Sequence, residues 1–306
     1  MRFYCKNIAY CYFREYTESL LREKDKVILF EDNEKVIIED DNISNIFLSF
    51  IPPYENIELN YKNNNKINLF YLNTEQATRV NVKYFVLNNL SILNKFKEKY
   101  NDNVNVGIID YSNQNIKLLQ DMNFLDMNFL DSREMHEIHY IPYQFNENEN
   151  NKLKQFLKSS KKIDIAYCGT DSKYRYDILN KIEKKYMGIN ICSGFSDDRD
   201  SKIAESKVLI NIHFEKSYNI YESIRCDRWI FAGHLVLSES TIDDKLIDLI
   251  DCMIMCKGED MTEHAEKIIK KYDIYKKLYI INKTLIRNQV IQKRKELYDD
   301  FRSKFN

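Results

Sequence analysis

Polar residues in the second half of the chain stand where strand-like runs end. Gly169 directly follows one such run, and His213 ends another. Ser238 and Glu239 stand at the end of a third. Ligands of parallel α/β sheets bind at the carboxyl ends of the strands, so these residues are candidates for a binding site. The glycine adds a specific chemistry, because backbone N–H groups at a glycine and at the following helix N-terminus attract anions.

Each of these residues also has an ordinary structural interpretation. The Gly169 loop matches neither the GxxxxGK[ST] nor the GxGxxG pattern, and a simple β–α turn explains it. Glu222 and Arg225, three residues apart on a predicted helix, have the spacing of an intrahelical ion pair. A lone histidine at a strand end is more often a hydrogen-bonded residue than a catalyst. A ligand site is favoured because these residues all lie at the ends of successive strands or in the first helical turn after one.

The elements that position these residues alternate between strand and helix. Predicted strands cover residues 163–167, 189–192, 207–213, 235–238 and 252–256, and predicted helices cover 175–185, 201–206, 221–232, 243–250 and 261–271. Gly233 stands at the C-terminal cap position of one of these helices. The alternation predicts a parallel sheet that helices cover on both faces. Residues 282–305 are predicted to form a long, charged, amphipathic helix.

The first half of the chain is rich in asparagine and contains a single glycine, Gly107. Predicted strands cover residues 26–30, 35–39, 46–50, 66–72 and 103–110, and predicted helices cover 80–100 and 114–122. The polar stretch 144–151 follows Pro142, which ends a strand-like run, and we expect the domain boundary there. The predicted domains are therefore an N-terminal domain at 1–147, a second domain at 148–281 and a C-terminal helix at 282–306.

The composition excludes several classes of protein. The 306 residues include 46 basic and 47 acidic side chains, so the net charge of −1 attracts neither nucleic acid nor an anionic membrane globally. Because the chain has only 6 glycines and 3 prolines, collagen-like and linker-like proteins are excluded. The aromatic content argues against disorder. Lysine-rich runs such as 267–277 contain acidic residues and indicate solvated helix faces, so we expect no nucleic-acid partner.

The cysteines and the hydropathy predict the compartment. Seven scattered cysteines, an odd count, predict reduced and buried thiols rather than a disulfide framework. No stretch approaches the roughly 18 apolar residues of a transmembrane helix, and the N-terminus lacks the uninterrupted apolar run of a signal peptide. We therefore expect a soluble, cytoplasmic protein without a transmembrane segment, and the sequence leaves its oligomeric state open.

Three short motifs follow one another in the second half. They are Asn211-Ile212-His213, Glu222-x-x-Arg225 and Gly233-x-x-Val236-Leu237-Ser238-Glu239. Together they resemble the donor-side pattern NIH…ExxR…GxxVxSE of a GT-B-type glycosyltransferase family. Further fragments that match more weakly are residues 72–76, 110–115, 141–143 and 164–169, with Arg175. The resemblance covers roughly residues 66–240.

The resemblance implies an α/β fold of two Rossmann-like domains that face a cleft, with the C-terminal helix near the interdomain region. It also implies a hexosyl or related transferase that moves a sugar from a nucleotide-sugar donor to a glycan or other hydroxyl acceptor, without cofactor or metal. The implied donor-binding residues are Gly169, Thr170, Arg175, Asn211, His213, Glu222, Ser223, Arg225, Ser238 and Glu239. The two arginines and the glycine loop suit a leaving diphosphate, and a carboxylate at a strand end suits ribose hydroxyls.

The catalytic candidates follow from the same resemblance. The first half would hold the acceptor, with Glu75 or Asp110 as the general base. His213 is a second candidate, for which a contact to phosphate or a role in stabilising the backbone is an equal alternative. Neither the identity of the sugar nor the stereochemistry of transfer follows from these residues.

Arg228 departs from the family pattern, which tends to have an acidic residue three positions after the motif arginine. Asp227 stands one position early, so either Asp227 or Glu239 would have to contact the donor ribose, or the donor differs. The departure supports an alternative function, namely a catalytically inactive GT-B-like protein that binds a nucleotide or a glycan. An unrelated nucleotide-binding α/β protein is a third interpretation.

Asp198-Arg199-Asp200 is a DxD triplet, the element that binds Mg²⁺ or Mn²⁺ in the other large glycosyltransferase fold. Such a short triplet of common residues often matches by chance. Its position in the second half does not suit that fold, so we predict no metal site.

Overall fold

The computed structural model describes residues 1–39, 41–60, 65–76, 78, 80–100, 103–123, 137–185, 188–194, 197–242 and 244–305. The chain divides into two compact units. Unit 1 comprises Met1–Pro142 and Lys295–Asn306, and unit 2 comprises Tyr143–Arg294. The chain therefore passes from one unit to the other twice, and the second passage lies within the C-terminal helix.

Unit 1 is an α/β unit whose main sheet has six parallel strands. Its elements are β1 (Arg2–Lys6), α1 (Asn7–Leu20), β2 (Lys26–Phe30), β3 (Val36–Glu39), β4 (Asn45–Leu48), β5 (Ile57–Asn60), β6 (Ile67–Asn73), α2 (Val80–Tyr100), β7 (Val104–Asp110), α3 (Asn113–Asn123) and β8 (Glu137–Tyr140). The main sheet has the order β2-β1-β4-β6-β7-β8, and β3 and β5 form a separate parallel pair.

The central strands of unit 1 are covered on both faces. Every residue of β6 is buried, as expected for a strand inside a parallel sheet. On the neighbouring strand, a Cβ at Gly107 would lie 2.8 Å from the ring of Phe70. The single glycine of the first half therefore makes room for an aromatic side chain in the core.

Unit 2 has a five-stranded parallel sheet. Its elements are α4 (Glu147–Leu157), β9 (Ile163–Cys168), α5 (Lys173–Glu183), β10 (Ile189–Cys192), α6 (Asp197–Ala204), β11 (Ser206–Asn211), α7 (Ser223–Ala232), β12 (Leu235–Glu239), β13 (Ile254–Cys256), α8 (Met261–Lys270), α9 (Tyr272–Lys276), a π-helical turn (Lys277–Ile281) and the start of α10 (Thr284–Phe305). The strand order is β10-β9-β11-β12-β13.

This order creates a topological switch point between β9 and β11. The chain leaves β9 towards β10 on one side of the sheet and returns to β11 on the other. In open α/β sheets, ligands bind at such a point, beyond the carboxyl ends of the two strands. The loops that follow β9 and β11 are therefore the part of unit 2 where a ligand is expected.

The predicted fold class, α/β with parallel sheets, is confirmed. The strands predicted at residues 163–167, 189–192 and 235–238 form β9, β10 and β12 with almost unchanged bounds. Gly233 ends α7 with φ 86°, the left-handed conformation that the predicted cap requires.

Three local differences have physical causes. The polar stretch 144–151 is not a linker throughout, because Asn146 caps α4 by accepting a hydrogen bond from the Glu149 N–H. The helix predicted at 243–250 is wrong: two short 3₁₀ turns, Asp244–Leu246 and Ile250–Cys252, replace it. The helix α1 was not predicted from the sequence, because it begins without the side-chain cap that marks a helix start.

All seven cysteines are free thiols, as predicted, although not all are buried. Cys11 is exposed and Cys168 is half-buried, while the other five are buried. Within the part of the chain that the structure describes, no helix combines the length and the apolar character needed to cross a membrane.

Candidate functional site

Asn211 and Ser238 connect the carboxyl ends of two neighbouring strands. They are partners in the register of β11 and β12, and Asn211 Nδ2 donates to Ser238 Oγ at 3.0 Å. Arg225 NH1 donates to Asn211 Oδ1 at 3.1 Å, which connects this strand end to the first turn of α7. Residues from all three sequence motifs therefore meet at one edge of the sheet.

Arg225 keeps contact with solvent within this cluster. Its side chain is 23% exposed and forms an ion pair with Glu222 at 2.5 Å. The ion pair expected from the spacing is thus present, and it orients the guanidinium together with Asn211. A guanidinium has five N–H donors, so these two contacts leave it the capacity to bind a phosphate oxygen.

Arg175, in contrast, is buried and holds two loops together. It donates to the carbonyl oxygens of Ile212 at 2.9 Å and Thr170 at 2.7 Å, and to Glu222 Oε1 at 3.1 Å. Burial lowers the pKa of Arg175, and the negative charge of Glu222 opposes that shift. The side chain joins the loop after β9 to the loop after β11, so its contacts are those of a positioning residue.

Gly169 and Ser172 shape the loop around Arg175. A Cβ at Gly169 would lie 2.6 Å from Tyr167 Oη and 3.2 Å from Arg175 NH1. Ser172 caps α5 by accepting a hydrogen bond from the Arg175 N–H at 3.1 Å, and its hydroxyl donates to the Phe214 carbonyl oxygen at 2.5 Å. The glycine is thus required by close packing as well as suited to the approach of an anion.

Glu239 is fixed at the end of β12 by two donors. Its Oε2 accepts from the backbone N–H of His213 at 3.0 Å, and its Oε1 accepts from Tyr174 Oη. Burial, and next the hydrogen bond to Glu239, raises the pKa of Tyr174, so the phenol remains a donor. A Cβ at Gly258 would overlap both Tyr174 Oη and Glu239 Oε1.

Tyr174 and Gly258 are site residues that the motifs do not include. The only sequence signal for Gly258 is the scarcity of glycine, which makes each glycine a position where a side chain would not fit. No local pattern identifies Tyr174, because its partner Glu239 lies 65 residues away in the chain.

Two buried polar atoms at this edge have no hydrogen-bond partner among the described residues. They are His213 Nδ1 and Ser223 Oγ. His213 Nε2 lies 3.1 Å from the Ser240 carbonyl oxygen, so Nε2 carries the proton and Nδ1 is left as an acceptor. Ser223 is the first residue of α7, whose N-terminus has no side-chain cap. Since buried polar atoms normally have partners, this acceptor and this hydroxyl indicate a place for the polar groups of a ligand.

In unit 1, Asp110 ends β7 as the buried centre of a hydrogen-bond network. Its carboxylate accepts from Asn73 Nδ2 at 2.6 Å, from the Ser112 N–H at 2.8 Å and from Asn115 Nδ2 at 3.3 Å. Burial raises the pKa of Asp110 to about 7 in spite of these donors. Because the residue is fully buried, its contacts are those of a positioning residue rather than a base.

Glu75 lies in the loop that this network holds, directly after β6. Its carbonyl oxygen accepts from Asn73 Nδ2 at 2.9 Å and from Asn115 Nδ2 at 2.7 Å, and its N–H donates to Asn73 Oδ1. The backbone is therefore anchored, while the residue is partly exposed. Of the two base candidates in unit 1, Glu75 is the accessible one.

Arg228 has a structural role that accounts for its departure from the family pattern. It donates to the two Asp200 oxygens at 3.0 and 2.7 Å and to Glu149 Oε1 at 2.7 Å, which joins α7 to α6 and α4. The same contacts occupy one carboxylate of the DxD triplet, and the other, Asp198, pairs with Lys202 at 2.5 Å. In the described ranges, no group of three or more His, Cys, Asp or Glu residues is arranged to hold a metal ion.

Asp227 is fully buried within unit 2. Its Oδ2 accepts from Arg294 NH1 at 2.7 Å and its Oδ1 from Tyr221 Oη at 2.8 Å. Burial raises the pKa of Asp227 to about 6, and Arg294 opposes the shift. These surroundings do not support a contact of Asp227 with a ribose, which leaves Glu239 of the two ribose candidates.

Two solved structures share the fold of this chain. An α-glucosyltransferase in complex with UDP-glucose and DNA containing an abasic site matches with a TM-score of 0.55 at 10% identity, covering 97% of this chain and 93% of that chain. The phage T4 β-glucosyltransferase matches with a TM-score of 0.52 at 13% identity, covering 100% of both chains. The likeness shows the fold, which is the GT-B glycosyltransferase fold of two Rossmann-like domains, as predicted. It lends no support to the expectation that nucleic acid is not a partner.

No family model matches the chain. It is 31% identical over 262 residues to "Uncharacterized protein L138" of Acanthamoeba polyphaga mimivirus, covering 80% of this chain but only 26% of that relative. It is 37% identical over 243 residues to "Uncharacterized protein L140" of the same virus, covering 78% of this chain and 69% of L140. The chain belongs to the protein family of mimivirus L140.

Proposed function

We propose that this protein is a glycosyltransferase that transfers a sugar from a nucleotide-sugar donor to a hydroxyl acceptor. The observation that carries the proposal is the cluster at the carboxyl edge of the unit 2 sheet. There Arg225 contacts Asn211, the His213 N–H holds Glu239, and two buried polar atoms are left for a ligand. The GT-B fold supports the proposal, and the UDP-glucose complex of a neighbour makes UDP-sugars the first donors to test.

The donor diphosphate is assigned to the N-terminus of α7. No side chain caps this helix end, whose positive dipole end attracts negative charge, and the Ser223 hydroxyl has no partner among the described residues. Arg225 adds a positive charge at the same turn, where it stabilises the charge that develops on the leaving group. Arg175 and Glu222 contribute indirectly, since they hold the loops and orient Arg225.

The nucleoside and the sugar are assigned to Glu239 and His213. The Glu239 carboxylate is buried and fixed at a strand end, where it can accept hydrogen bonds from ribose hydroxyls. His213 Nδ1 is an acceptor for a hydroxyl of the donor. We assign His213 to the donor rather than to the base, because its backbone N–H holds Glu239 at the carboxyl edge of the unit 2 sheet.

In the proposed reaction the bond between sugar C1 and the diphosphate oxygen breaks, and the nucleoside diphosphate leaves with the electron pair. The acceptor hydroxyl oxygen forms the new bond to C1 as the sugar passes through an oxocarbenium-like state. The proton of that hydroxyl passes to a base, for which we propose Glu75. Asp110 positions the Glu75 loop through Asn73 and Asn115.

We further propose that the reaction needs no metal ion. The support is that Asp200 is occupied by Arg228 and Arg199, and that Asp198 is paired with Lys202. Arg225 and the N-terminus of α7 supply positive charge for the leaving group instead. Activity that is lost with EDTA and restored by Mn²⁺ or Mg²⁺ would contradict this part of the proposal.

The proposal is tested by isothermal titration calorimetry with UDP, UDP-glucose and other nucleoside diphosphates. Arg225→Ala should weaken nucleoside diphosphate binding by about thirty-fold, because a hydrogen-bonded charge contact contributes about 2 kcal/mol. Lys202→Ala is the matched control, since it removes an exposed basic residue of the same unit outside the cluster. The affinity of the Lys202→Ala variant for nucleoside diphosphates should equal that of the unchanged protein.

Hydrolysis and transfer assays then separate an enzyme from an inactive binder. Each donor that binds is incubated with a glycan panel and with DNA, and free nucleoside diphosphate and labelled acceptor are measured. Turnover that Arg225→Ala abolishes supports a transferase, whereas binding without turnover on any acceptor favours the inactive relative. If no nucleotide or nucleotide-sugar binds, the assignment of the donor site is refuted.

A further inference from the structure

A row of large apolar side chains is exposed along the helical segment between α8 and the start of α10. Its members are Ile274, Leu278, Ile281 and Leu285, which are 56%, 47%, 60% and 68% exposed. They are spaced four, three and four residues apart along α9, the π-helical turn and the first turn of α10. We call these four residues the apolar stripe.

Other apolar residues of the same segment are partly covered. Tyr272, Tyr275, Tyr279 and Ile280 pack against the hydrophobic core of unit 2. A surface helix normally has one apolar side on the core and a polar side facing water. This segment has both apolar residues that pack on the core and apolar residues that stay exposed, so the apolar stripe is not needed for packing within the unit.

The residues around the apolar stripe are strongly basic. Between residues 271 and 287 the sequence has five basic residues, Lys271, Lys276, Lys277, Lys283 and Arg287, and one acidic residue, Asp273. Lys271, Lys276 and Lys277 are exposed, and none of them has an ion-pair partner among the described residues.

Nearby charges increase this positive field. Burial, and next the charge of Lys276, lowers the pKa of Lys161 to about 8. The same two lysines, after burial, lower the pKa of His234. Positive charges therefore gather at this face of unit 2, although the whole chain has a net charge of only −1.

We propose that this face binds the surface of an anionic lipid bilayer, with the apolar stripe at the boundary between headgroups and acyl chains and the lysines on the headgroups. Interfacial helices combine these two features, an exposed apolar side and flanking basic residues. A second copy of the chain would bring lysines against lysines. A nucleic acid would pair with the lysines but leave the four apolar side chains in water. The inference does not depend on the reaction assigned to the protein.

The test is co-sedimentation of the full chain with vesicles of phosphatidylcholine alone and with vesicles that contain about one third phosphatidylserine. Binding is expected only to the phosphatidylserine vesicles, and it should weaken as salt is raised. The double substitution Lys276→Gln and Lys277→Gln should weaken it about thirty-fold, because each basic residue near an anionic surface contributes about five- to sixfold. Leu278→Asn with Leu285→Asn should weaken it at least about tenfold.

Ile191→Asn is the matched control, since Ile191 is 60% exposed in the same unit but lies outside the apolar stripe. It should bind vesicles like the unchanged protein, and circular dichroism should show the same fold for all variants. Absence of binding to phosphatidylserine vesicles overturns the proposal. A dimer detected by light scattering also overturns it, if Leu278→Asn with Leu285→Asn dissociates that dimer. DNA binding that depends on the lysines overturns it as well, if those two leucine substitutions leave vesicle binding unchanged.

Discussion

The substitution Gly258→Ala tests whether the position of Glu239 decides donor binding. The added Cβ would stand under 3.0 Å from both Tyr174 Oη and Glu239 Oε1, whereas an ordinary contact is 3.4–4 Å. Both atoms are at the ends of side chains, so the protein can relieve the overlap by moving them rather than the backbone. The required shift is on the order of 1 Å, which is enough to break a hydrogen bond. The Glu239 carboxylate would then lose its contact with the His213 N–H at 3.0 Å.

The expected loss of donor affinity follows from the hydrogen bonds that the displaced Glu239 carboxylate can no longer accept from the donor. Hydrogen bonds to a charged group contribute about 1.5–3 kcal/mol, so the Kd for a nucleoside diphosphate should rise about ten- to hundredfold. The free energy of unfolding should fall by only about 1 kcal/mol, because the overlap is with mobile side-chain ends. Calorimetric titration and urea unfolding measure the two quantities on the same samples.

Gly188→Ala is the matched control for this experiment. A Cβ at Gly188 would meet its nearest atoms at 3.8 and 3.9 Å, which is ordinary contact, so neither affinity nor stability should change. Adding Tyr174→Phe to Gly258→Ala removes one of the two overlapping atoms and should not worsen the affinity further. A folded Gly258→Ala variant that binds as tightly as the unchanged protein would refute the reasoning.

Three further predictions follow from the networks around the site. Glu75→Gln should lower kcat at least about hundredfold with an unchanged KM for the donor, because only the base is lost; an unaffected kcat in steady-state kinetics would exclude Glu75. Asp110 binds a proton more tightly when folded, with a pKa of about 7. Stability should therefore fall as pH rises from about 4 to 7, by up to about 4 kcal/mol, and Asp110→Asn should remove this part of the slope in urea unfolding curves. Arg228→Ala should lower the free energy of unfolding by about 3 kcal/mol, because it leaves Asp200 and Glu149 without their shared partner, yet a folded sample should bind donor normally in calorimetry.

The sequence by itself determines the fold class and the edge of the sheet where the candidate site lies. Strand and helix periodicity are local, so the alternation in unit 2 and the residues at the ends of β9, β11 and β12 can be read from neighbouring residues. The cap at Gly233 is local for the same reason. Short segments with weak local signals, such as the 3₁₀ turns at Asp244–Leu246, were not predictable in this way.

Only the tertiary structure decides what each polar residue of the site does. Arg175, Arg225 and Arg228 have the same chemistry, yet the first holds two loops, the second is partly exposed and the third joins three helices. Their partners, such as Asp200 and Glu149, come from distant parts of the chain, so no local spacing reveals them. Whether a charged group faces a ligand or is used up within the protein depends on burial and on these distant partners, since an unpaired buried charge is too costly to leave.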